Sequence, residues 1–365
     1  MKKSCLIVMG KMSFGGVQKS LISFMDYIKE DVDIDLLLWG RAENEIPIPS
    51  KINIINIPTV KSIREVIRSD GFFSRATLLS SLGLLKRKRW IATPRLKKKY
   101  DIAIAYTNVG FPKYYVIDKV VAEKKYAFYH HGVYEFPMQI KKWDEEYYPK
   151  YDKVFAVSEH IKEVLMNELS ADIKFDVIPN YIDLDKILGM GEEVCEEMLN
   201  AKGVKILTVG RLSVEKNIIK CIEVAKELKD KEVSFTWFIA GDGDQKELIS
   251  KKIEEYGLTN RVTLLGNVLN PYKYMKNCDL YAQFSAYEAD PITPKELLVF
   301  NKRMVLSDIE AFNYLKNLYK NISICEEGGN RTAELIIEKL SSEVEVNDLD
   351  NLNKNFINKT KEIIG

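Results

Sequence analysis

The stretch ILTVGRLSVEKNIIKCIEVAKEL, residues Ile206 to Leu228, decides the fold class. An apolar run ends at Gly210, a polar loop follows, and an amphipathic helical pattern begins near Asn217. The same succession of short apolar run, loop and helical pattern recurs along most of the chain. Such alternation predicts parallel sheets covered by helices, because consecutive parallel strands need a long crossover connection.

The apolar runs form two series, which favours two doubly wound domains, and 365 residues are more than one typical core requires. We predict domains at 1–181 and 182–345, with 346–365 as a C-terminal helix that returns to the first domain. The candidate strands are SCLIVMG, VDIDLLLW, INIINIP, YDIAIAY, KKYAFYH, DKVFAVS and FDVIPN in the first half, and VKILTVG, SFTWFIAG, RVTLLG, DLYAQF, KRMVLSD and NISICEE in the second.

Composition excludes several classes of protein. A formal net charge of +1 argues against a general nucleic-acid binder. The five cysteines form no Cys-x-x-Cys pair, which indicates neither a disulfide framework nor a zinc site and favours a reducing cytosol. No apolar stretch is long enough to span a membrane, and the N-terminal apolar run is too short for a signal peptide. We therefore expect a cytoplasmic protein that is soluble or lies on a membrane surface.

The segment 61–99 departs from the pattern. It contains twelve Lys or Arg residues and two acids, interleaved with GFF, LLSSLGLL and Trp90. Basic residues mixed with aromatic and leucine side chains are typical of an interfacial segment facing anionic lipid. The alternative is a solvated helix that covers the sheet. The first interpretation predicts a peripheral position on the inner face of the plasma membrane.

The stretch SAYEADPITPKELLVF, Ser285 to Phe300, places Glu288 and Glu296 on either side of two prolines. Thr293 followed by Pro294 and Glu296 matches a capping box, with Thr293 as N-cap and Glu296 as the third helical residue. This predicts that Glu296 lies in the first turn of a helix and Glu288 on the loop before it. Taken alone, the pattern is equally compatible with a helix cap and a solvated loop acid.

Two cations follow the strand that ends at Gly210. Arg211 lies where the strand gives way to the loop, and Lys216 lies with Asn217 at the start of the next helix. A cation is unfavourable at a helix N-terminus, so this pair predicts an anion between the two side chains, most simply a diphosphate. The alternative is an exposed pair bonded to nearby acids.

The first domain offers two further candidate sites. Gly15 and Gly16 follow the first strand and open the first helix, where a ligand can approach the backbone closely. His130 and His131 end another strand, and the strand period sends them to opposite faces. Either histidine can point into the crevice where open α/β sheets bind ligands, although a hydrogen-bonded structural histidine fits equally well.

The order of these motifs resembles the family 4 retaining glycosyltransferases. The matching elements are Gly-Gly after the first strand, Val-Ser-Glu, Ile-Pro-Asn-x-x-Asp, Val-Gly-Arg-Leu, Lys-Asn, Ala-Gly-Asp-Gly, Gly-x-Val and Glu-x7-Glu. The resemblance covers about residues 1–340 and is most specific from Val177 to Leu306. It implies the GT-B fold, in which two Rossmann-like doubly wound parallel-sheet domains face a central cleft.

The resemblance also implies roles for site residues. Glu288 would meet donor-sugar hydroxyls, Glu296 the ribose diol, and Arg211 with Lys216 the diphosphate. The family's histidine near the anomeric carbon falls on His130 or His131, and His131 is favoured because it precedes Gly132. The implied catalytic residues are His131, Arg211, Lys216 and Glu288; the implied donor-binding residues are Gly15, Gly16, His130, Arg211, Lys216, Asn217, Gly241, Val268, Glu288, Ala289, Asp290, Pro291, Ile292, Thr293 and Glu296. This chain reads Glu-Ala-Asp-Pro where the family has Glu-Gly-x-Pro.

The activity implied is retaining transfer of a hexosyl unit from a nucleotide sugar, with UDP as the expected carrier, to a glycan or lipid-linked acceptor in cell-surface polysaccharide synthesis. The leaving phosphate can take the acceptor's proton, so neither a metal nor a cofactor is expected. The alternatives are a sugar-nucleotide epimerase with the same fold and an inactive glycosyltransferase-like module that binds a partner. A nicotinamide oxidoreductase is disfavoured because Gly-Asp-Gly at 241–243 lacks the third glycine of the dinucleotide fingerprint.

Overall fold

A computed structural model describes residues 2–10, 12, 15–39, 47–57, 90, 93–134, 136–169, 172–326 and 331–365. The chain divides into two compact units, one formed by Met1–Tyr181 with Asn355–Gly365 and the other by Ile182–Lys354. The second unit extends beyond residue 345, where the sequence pattern placed its end. Among the described residues, no helix combines the length and apolar character needed to cross a membrane.

The first unit contains a seven-stranded parallel sheet in the order β3-β2-β1-β4-β5-β6-β7. All seven predicted strands of the first half are present. They are β1 (Lys3–Met9), β2 (Val32–Trp39), β3 (Asn53–Ile57), β4 (Lys99–Ala105), β5 (Val121–Tyr129), β6 (Lys153–Ala156) and β7 (Phe175–Val177).

Helices α1 to α4 belong to this unit. In α1, buried apolar residues at Leu21, Phe24, Met25 and Ile28 recur at helical spacing and face the sheet. The helices are α1 (Gly16–Ile28), α2 (Pro112–Lys119), α3 (Met138–Tyr147), which continues into the 3₁₀ turn Tyr148–Lys150, and α4 (Glu159–Glu168).

The second unit contains a six-stranded parallel sheet in the order β10-β9-β8-β11-β12-β13, and all six predicted strands of the second half are present. The strands are β8 (Val204–Val209), β9 (Phe235–Ala240), β10 (Val262–Gly266), β11 (Leu280–Gln283), β12 (Arg303–Ser307) and β13 (Ile322–Cys325). Its helices are α5 (Leu184–Gly191), α6 (Glu196–Leu199), α7 (Ile218–Asp230), α8 (Lys246–Glu255), α9 (Tyr272–Asn277), α10 (Ile292–Leu298), α11 (Glu310–Leu318) and α12 (Thr332–Leu340), with a 3₁₀ turn at Val214–Lys216.

Helices cover both faces of this second sheet, so its strands are apolar throughout instead of alternating with polar residues. Ile206 and Val305 belong to one apolar cluster, whereas Leu207, Met304 and Leu306 belong to another. Neighbours along a strand point to opposite faces, which places the two clusters on the two sides of the sheet.

Both sheets reverse their strand order at one position. The reversal lies between β1 and β4 in the first sheet and between β8 and β11 in the second. Loops that leave the carboxyl ends of these strands run to opposite faces and open a crevice, the usual ligand position in such folds. We call these two positions the first and second switch points.

The C-terminal helix α13 (Lys354–Ile364) packs on the first unit, although the residues before it belong to the second. Its buried side chains Phe356, Thr360 and Ile363 recur at helical spacing, and the Phe356 ring meets the Phe24 ring at 90° with centroids 6.0 Å apart. Just before the helix, the Asn353 side-chain amide accepts a hydrogen bond from Ile182 N and donates one to Ile182 O, at 3.0 and 2.7 Å.

The basic segment 61–99 lies outside the described residues except for Trp90 and residues 93–99. Trp90 does not face lipid as the interfacial interpretation of this segment requires, because its side chain is fully buried. Its indole Nε1 donates to Asp118 Oδ2 at 2.7 Å, and its ring packs on Tyr114 with centroids 4.7 Å apart. Burial of this large ring with a satisfied N–H therefore anchors the end of the segment in the first unit.

Gly241, directly after β9, is required by close backbone packing. Its φ is +146°, and a Cβ there would lie 1.9 Å from the carbonyl oxygen of Gly210, the residue directly after β8. The loops after β8 and β9 are also joined by Leu212 N donating to Asp242 O at 3.1 Å. The structure therefore accounts for this glycine without invoking a ligand.

Gly241→Ala should lower the free energy of unfolding by about 2 kcal/mol or more, from backbone strain and overlap with Gly210 O. Gly189→Ala is the matched control, since Gly189 lies in α5 and a Cβ there meets nothing within 4 Å. It should gain about 0.5–1 kcal/mol from reduced unfolded-state entropy. Urea unfolding of both variants tests this, and equal stability would contradict the packing argument.

Candidate functional site

Lys216 and Glu288 meet at the second switch point. Lys216 ends the 3₁₀ turn after β8, and Glu288 lies on the loop after β11, the strand beside β8. Lys216 Nζ lies 2.5 Å from Glu288 Oε1, and the two side chains are 26% and 11% exposed. Asn217 then adopts a left-handed backbone (φ +48°) and precedes α7. The structure thus joins two predicted site residues that are 72 positions apart in sequence.

Glu288 is fixed by neutral donors as well as by Lys216. Its Oε1 accepts hydrogen bonds from Gln283 Nε2 at 2.6 Å and from Ser285 Oγ at 2.7 Å. Gln283 is in turn held by Tyr281, whose hydroxyl donates to Gln283 Oε1 at 2.5 Å. Several donors on one carboxylate oxygen fix the side chain in one orientation. Gln283 and Ser285 were not predicted as site residues from the sequence, although polar residues within the buried run YAQFS were the available signal.

Arg211 is placed differently from Lys216. Its side chain is 59% exposed, and its Nη1 lies 3.5 Å from Glu215 Oε1. Arg211 and Lys216 therefore each already have an acidic neighbour. This agrees with the alternative prediction, in which the two cations are bonded to nearby acids. Most of the five guanidinium donors of an exposed arginine nevertheless remain available to a ligand.

The predicted capping box at Thr293 is wrong. Helix α10 begins at Ile292 after Pro291 as N-cap, and no side chain caps it. Pro291 and Pro294 explain this earlier start. Backbone N–H groups in the first turn of a helix have no intrahelical partner, so a proline, which lacks an N–H, is tolerated there and just before the helix. Glu296 is therefore the fifth helical residue instead of the third.

Glu296 is buried, with 3% of its surface exposed, and it accepts a hydrogen bond from Tyr272 OH at 3.0 Å. Burial, reinforced by the charge of Glu296, raises the pKa of the Tyr272 hydroxyl well above its usual value. The carboxylate is therefore oriented by a neutral donor from α9. The remaining second-unit candidate, Val268, is half-buried and packs against the apolar cluster that contains Leu207.

Asp290 lies in the Glu-Ala-Asp-Pro stretch and adds a charge that the Glu-Gly-x-Pro pattern does not require. A nearby cation neutralises this charge. The Asp290 carboxylate pairs with Lys295 of α10, and the two side chains are only 6% and 8% exposed. Ala289 and Pro291 on either side of Asp290 are buried, whereas Ile292 and Thr293 are half-buried. The ion pair fastens the loop between Glu288 and Glu296 to the helix that follows it.

The first-unit candidates lie at the carboxyl edge of their own sheet. Gly15 has an extended backbone (φ 175°), and a Cβ on Gly16 would meet nothing within 4 Å. Neither glycine is therefore required by local strain. His131 is half-buried, and its Nδ1 lies 3.0 Å from Val133 O.

The loop after His131 is held by a buried ion pair. Lys113 Nζ lies 2.6 Å from Asp144 Oδ1, with side chains 2% and 0% exposed. The hydroxyls of Tyr114 and Tyr134 also donate to Asp144, at 2.8 and 3.0 Å. Burial lowers the pKa of Lys113, although Asp144 opposes the shift. Through Tyr134 this pair limits the conformations open to the histidine loop.

His130 is enclosed by aromatic rings. Its ring centroid lies 4.8 Å from that of Tyr106 and 5.9 Å from that of Phe128. Burial lowers the pKa of His130 from 6.5 to about 3, despite a hydrogen bond to the Tyr106 backbone. The imidazole is therefore neutral at physiological pH.

Among the described residues, no group of three or more His, Cys, Asp or Glu side chains is arranged to hold a metal ion.

Residues 193–363 match the family model described as glycosyl transferases group 1. A curated relative from Campylobacter jejuni, N-acetylgalactosamine-N,N'-diacetylbacillosaminyl-diphospho-undecaprenol 4-alpha-N-acetylgalactosaminyltransferase, is 33% identical over 142 residues, 39% of this chain and 37% of that protein. A second relative, an uncharacterized glycosyltransferase from Methanocaldococcus jannaschii, is 26% identical over 168 residues, which are 45% of this chain and 41% of that protein. The matched stretches therefore span about two fifths of the length of each relative.

Solved structures match nearly the whole chain. Staphylococcus aureus TarM, in complex with fondaparinux, alpha-GlcNAc-glycerol and UDP, is 16% identical with a TM-score of 0.68, covering 99% of this chain and 96% of that one. Anabaena HepE, in complex with UDP and glucose, is 16% identical with a TM-score of 0.69, covering 98% and 99%. The chain has the GT-B fold. That fold prediction is confirmed, and residues 193–363 are similar to the group 1 glycosyl transferases.

Lys295→Met should lower the free energy of unfolding by about 3 kcal/mol or more, because it removes the cation that compensates the buried charge of Asp290. Adding Asp290→Asn should restore most of that loss, since the double variant buries no uncompensated charge. A double-mutant cycle by urea unfolding measures the coupling. Additive effects would show that the two side chains do not depend on each other.

Acid should destabilise the protein through His130. Below pH 6.5 the unfolded chain binds a proton that the folded chain does not take up until about pH 3, so stability falls as pH falls. At pH 5 the wild type should lose about 2 kcal/mol more than His130→Gln, relative to pH 7. Urea unfolding at both pH values tests this, and equal acid losses would contradict it.

Proposed function

We propose that the protein is a family 4 retaining glycosyltransferase that moves a hexosyl unit from a UDP-sugar to a glycan or lipid-linked acceptor. The observation that carries this proposal is the Lys216–Glu288 contact at the second switch point, within the stretch that matches the glycosyl transferases group 1 model. A nucleotide sugar combines a charged diphosphate with an uncharged sugar. Lys216 would face the diphosphate, and the fixed carboxylate of Glu288 would face the sugar hydroxyls.

The leaving diphosphate would bind beside Lys216. An ammonium group has three donors, so Lys216 can keep its contact with Glu288 and still bind a phosphate oxygen. Helix α7 starts at Ile218, and no side chain caps its first turn among the described residues. Its free N–H groups add a partial positive charge where the anion would lie. Exposed Arg211 supplies a second cation. These groups would stabilise the charge that develops as the glycosidic bond breaks.

The two glutamates would orient the donor. Glu288, held by its donors, would accept hydrogen bonds from sugar hydroxyls, and Glu296, held by Tyr272, would accept them from the ribose diol. The loop Ala289–Thr293 between them would line the donor through its backbone. In this proposal the leaving phosphate takes the acceptor's proton and His131 lies near the anomeric carbon, so the reaction requires no metal and no cofactor.

The acceptor assignment rests on the relatives and on the charge of the basic segment. The name of the Campylobacter jejuni relative specifies a diphospho-undecaprenol substrate, and TarM was solved with a GlcNAc-glycerol. Twelve basic residues in 61–99 would attract anionic lipid at about 1 kcal/mol for each residue near the surface. We therefore place the enzyme in the cytoplasm, peripheral on the inner face of the plasma membrane, acting in cell-surface polysaccharide synthesis.

Calorimetric titration and turnover with a panel of UDP-sugars test the donor site. Lys216→Ala should weaken UDP binding and reduce turnover by about 10²–10³-fold, the loss typical of one transition-state charge stabiliser. Glu296→Gln should weaken UDP itself, whereas Glu288→Gln should spare UDP and weaken the intact sugar nucleotide. Lys226→Ala is the matched control, because Lys226 forms an exposed ion pair with Asp230 on the same helix α7.

Unchanged UDP binding and turnover in Lys216→Ala would remove the phosphate role. Interconversion of the sugar nucleotide without an acceptor would indicate an epimerase. A wild type that binds no nucleotide sugar of the panel would favour the inactive partner-binding module.

A further inference from the structure

Three donors converge on one oxygen of the Glu288 carboxylate. Lys216 Nζ, Gln283 Nε2 and Ser285 Oγ lie 2.5, 2.6 and 2.7 Å from Oε1. Within the part of the chain that the structure describes, no hydrogen bond is made to Oε2. A carboxylate oxygen offers about two lone pairs, so three donors leave no room on Oε1 for a ligand. Oε2 is therefore the oxygen with which Glu288 can accept a hydrogen bond from a bound molecule.

The amide of Gln283 has a defined orientation in this cluster. Its nitrogen must face Glu288, because an amide oxygen 2.6 Å from a carboxylate oxygen would place two acceptors against each other. One N–H then points to Glu288 Oε1 and the other to Ser285 Oγ, at 2.8 Å. The amide oxygen accepts from the Tyr281 hydroxyl at 2.5 Å. The donors therefore run in one direction, from Tyr281 through Gln283 and Ser285 to the carboxylate.

This chain of donors lies in the core of the second unit. Tyr281, Gln283 and Ser285 are 0%, 3% and 1% exposed. Burial, together with the charge of Glu288, raises the pKa of the Tyr281 hydroxyl well above its usual value, so the hydroxyl keeps its proton. An apolar side chain of similar shape is usually tolerated at such a buried position. The packing of β11 therefore does not require an amide here, and the complete set of hydrogen bonds indicates a role at Glu288.

We propose that Gln283 is a positioning residue for sugar recognition. By occupying Oε1 directly and through Ser285, it directs Oε2 of Glu288 toward the hydroxyls of the donor sugar. Lys216 alone does not achieve this, because an ammonium group attracts both carboxylate oxygens. With Gln283 and Ser285 on Oε1, the carboxylate cannot turn toward Lys216 without losing two donors. Gln283 is buried and acts only through Glu288, so the inference rests on the proposed function, in which Glu288 binds the donor sugar.

Calorimetric titration of the full-length protein with UDP, UDP-glucose and UDP-N-acetylglucosamine tests this role. Gln283→Leu fills similar space but removes the amide. It should weaken whichever UDP-sugar the wild type binds by about ten-fold, the value of one hydrogen bond, and leave UDP binding unchanged. Asn321→Leu is the matched control, because it removes a buried amide just before β13, at the opposite edge of the same sheet. It should change neither affinity at a temperature where circular dichroism shows both variants folded.

Gln283→Glu separates positioning from packing. The introduced carboxyl would face Glu288 Oε1, and two carboxyl groups this close retain one proton between them. With that proton the new side chain donates as the amide does, and when the proton leaves at higher pH the two carboxylates repel each other. The other groups around Oε1 are Lys216 and Ser285, of which only Lys216 is charged.

The quantity to measure is the ratio of UDP-sugar affinity to UDP affinity, divided by the wild-type ratio at the same pH. For Gln283→Glu this quotient should be about one at pH 5.5 and fall about ten-fold by pH 8, as one hydrogen bond is lost. For Gln283→Leu it should be low at both pH values, because leucine has no proton to donate.

UDP-sugar affinity in Gln283→Leu equal to that in Asn321→Leu overturns the proposal. So does an equal loss of UDP affinity, since the variant would then disturb the whole site, and so does a quotient for Gln283→Glu that does not change with pH. A wild type that binds no UDP-sugar counts against the proposed function instead. The crystal structure of unliganded Gln283→Leu then decides the role of Gln283: a rotated Glu288 carboxylate supports it, and an unchanged one overturns it.

Discussion

The parallel arrangement of the strands is the constraint on which the rest of the structure depends. Parallel strands deliver the loops at their carboxyl ends to one edge of the sheet, and the reversal of strand order separates two of those loops. In the second unit these loops carry Lys216 and Glu288. Residues far apart in sequence therefore meet at one edge of the sheet without any special local sequence.

Charge compensation is the second organising feature. Lys216 lies against Glu288, Asp290 pairs with Lys295, and Arg211 lies near Glu215. The pairs differ in burial, and burial determines what each can do. The enclosed Asp290–Lys295 pair fixes a loop, because separating two buried charges is costly. The exposed Arg211 loses little when it exchanges its acid for a ligand, since a solvated ion pair contributes at most about 1 kcal/mol.

Much of the fold could be predicted from the sequence, because apolar runs and helical periodicity are local signals. All thirteen candidate strands are present. The start of α10 was less predictable, since Thr293 fits a cap by composition but Pro291 and Pro294 allow the helix to begin at Ile292. The burial of Trp90 was not predictable either. An aromatic residue beside basic residues has the same local sequence pattern whether it inserts into lipid or packs under a helix.

The sequence by itself determined the fold class, the thirteen strands and the identity of the charged groups on the loops, because each depends on residue type and short-range period. Only the tertiary structure decided which of these groups meet. It paired Lys216 with Glu288 and held that carboxylate with Gln283 and Ser285. It also placed all three donors on one carboxylate oxygen and left the other without a partner among the described residues. Such contacts depend on strand order and burial, which no local stretch of sequence encodes.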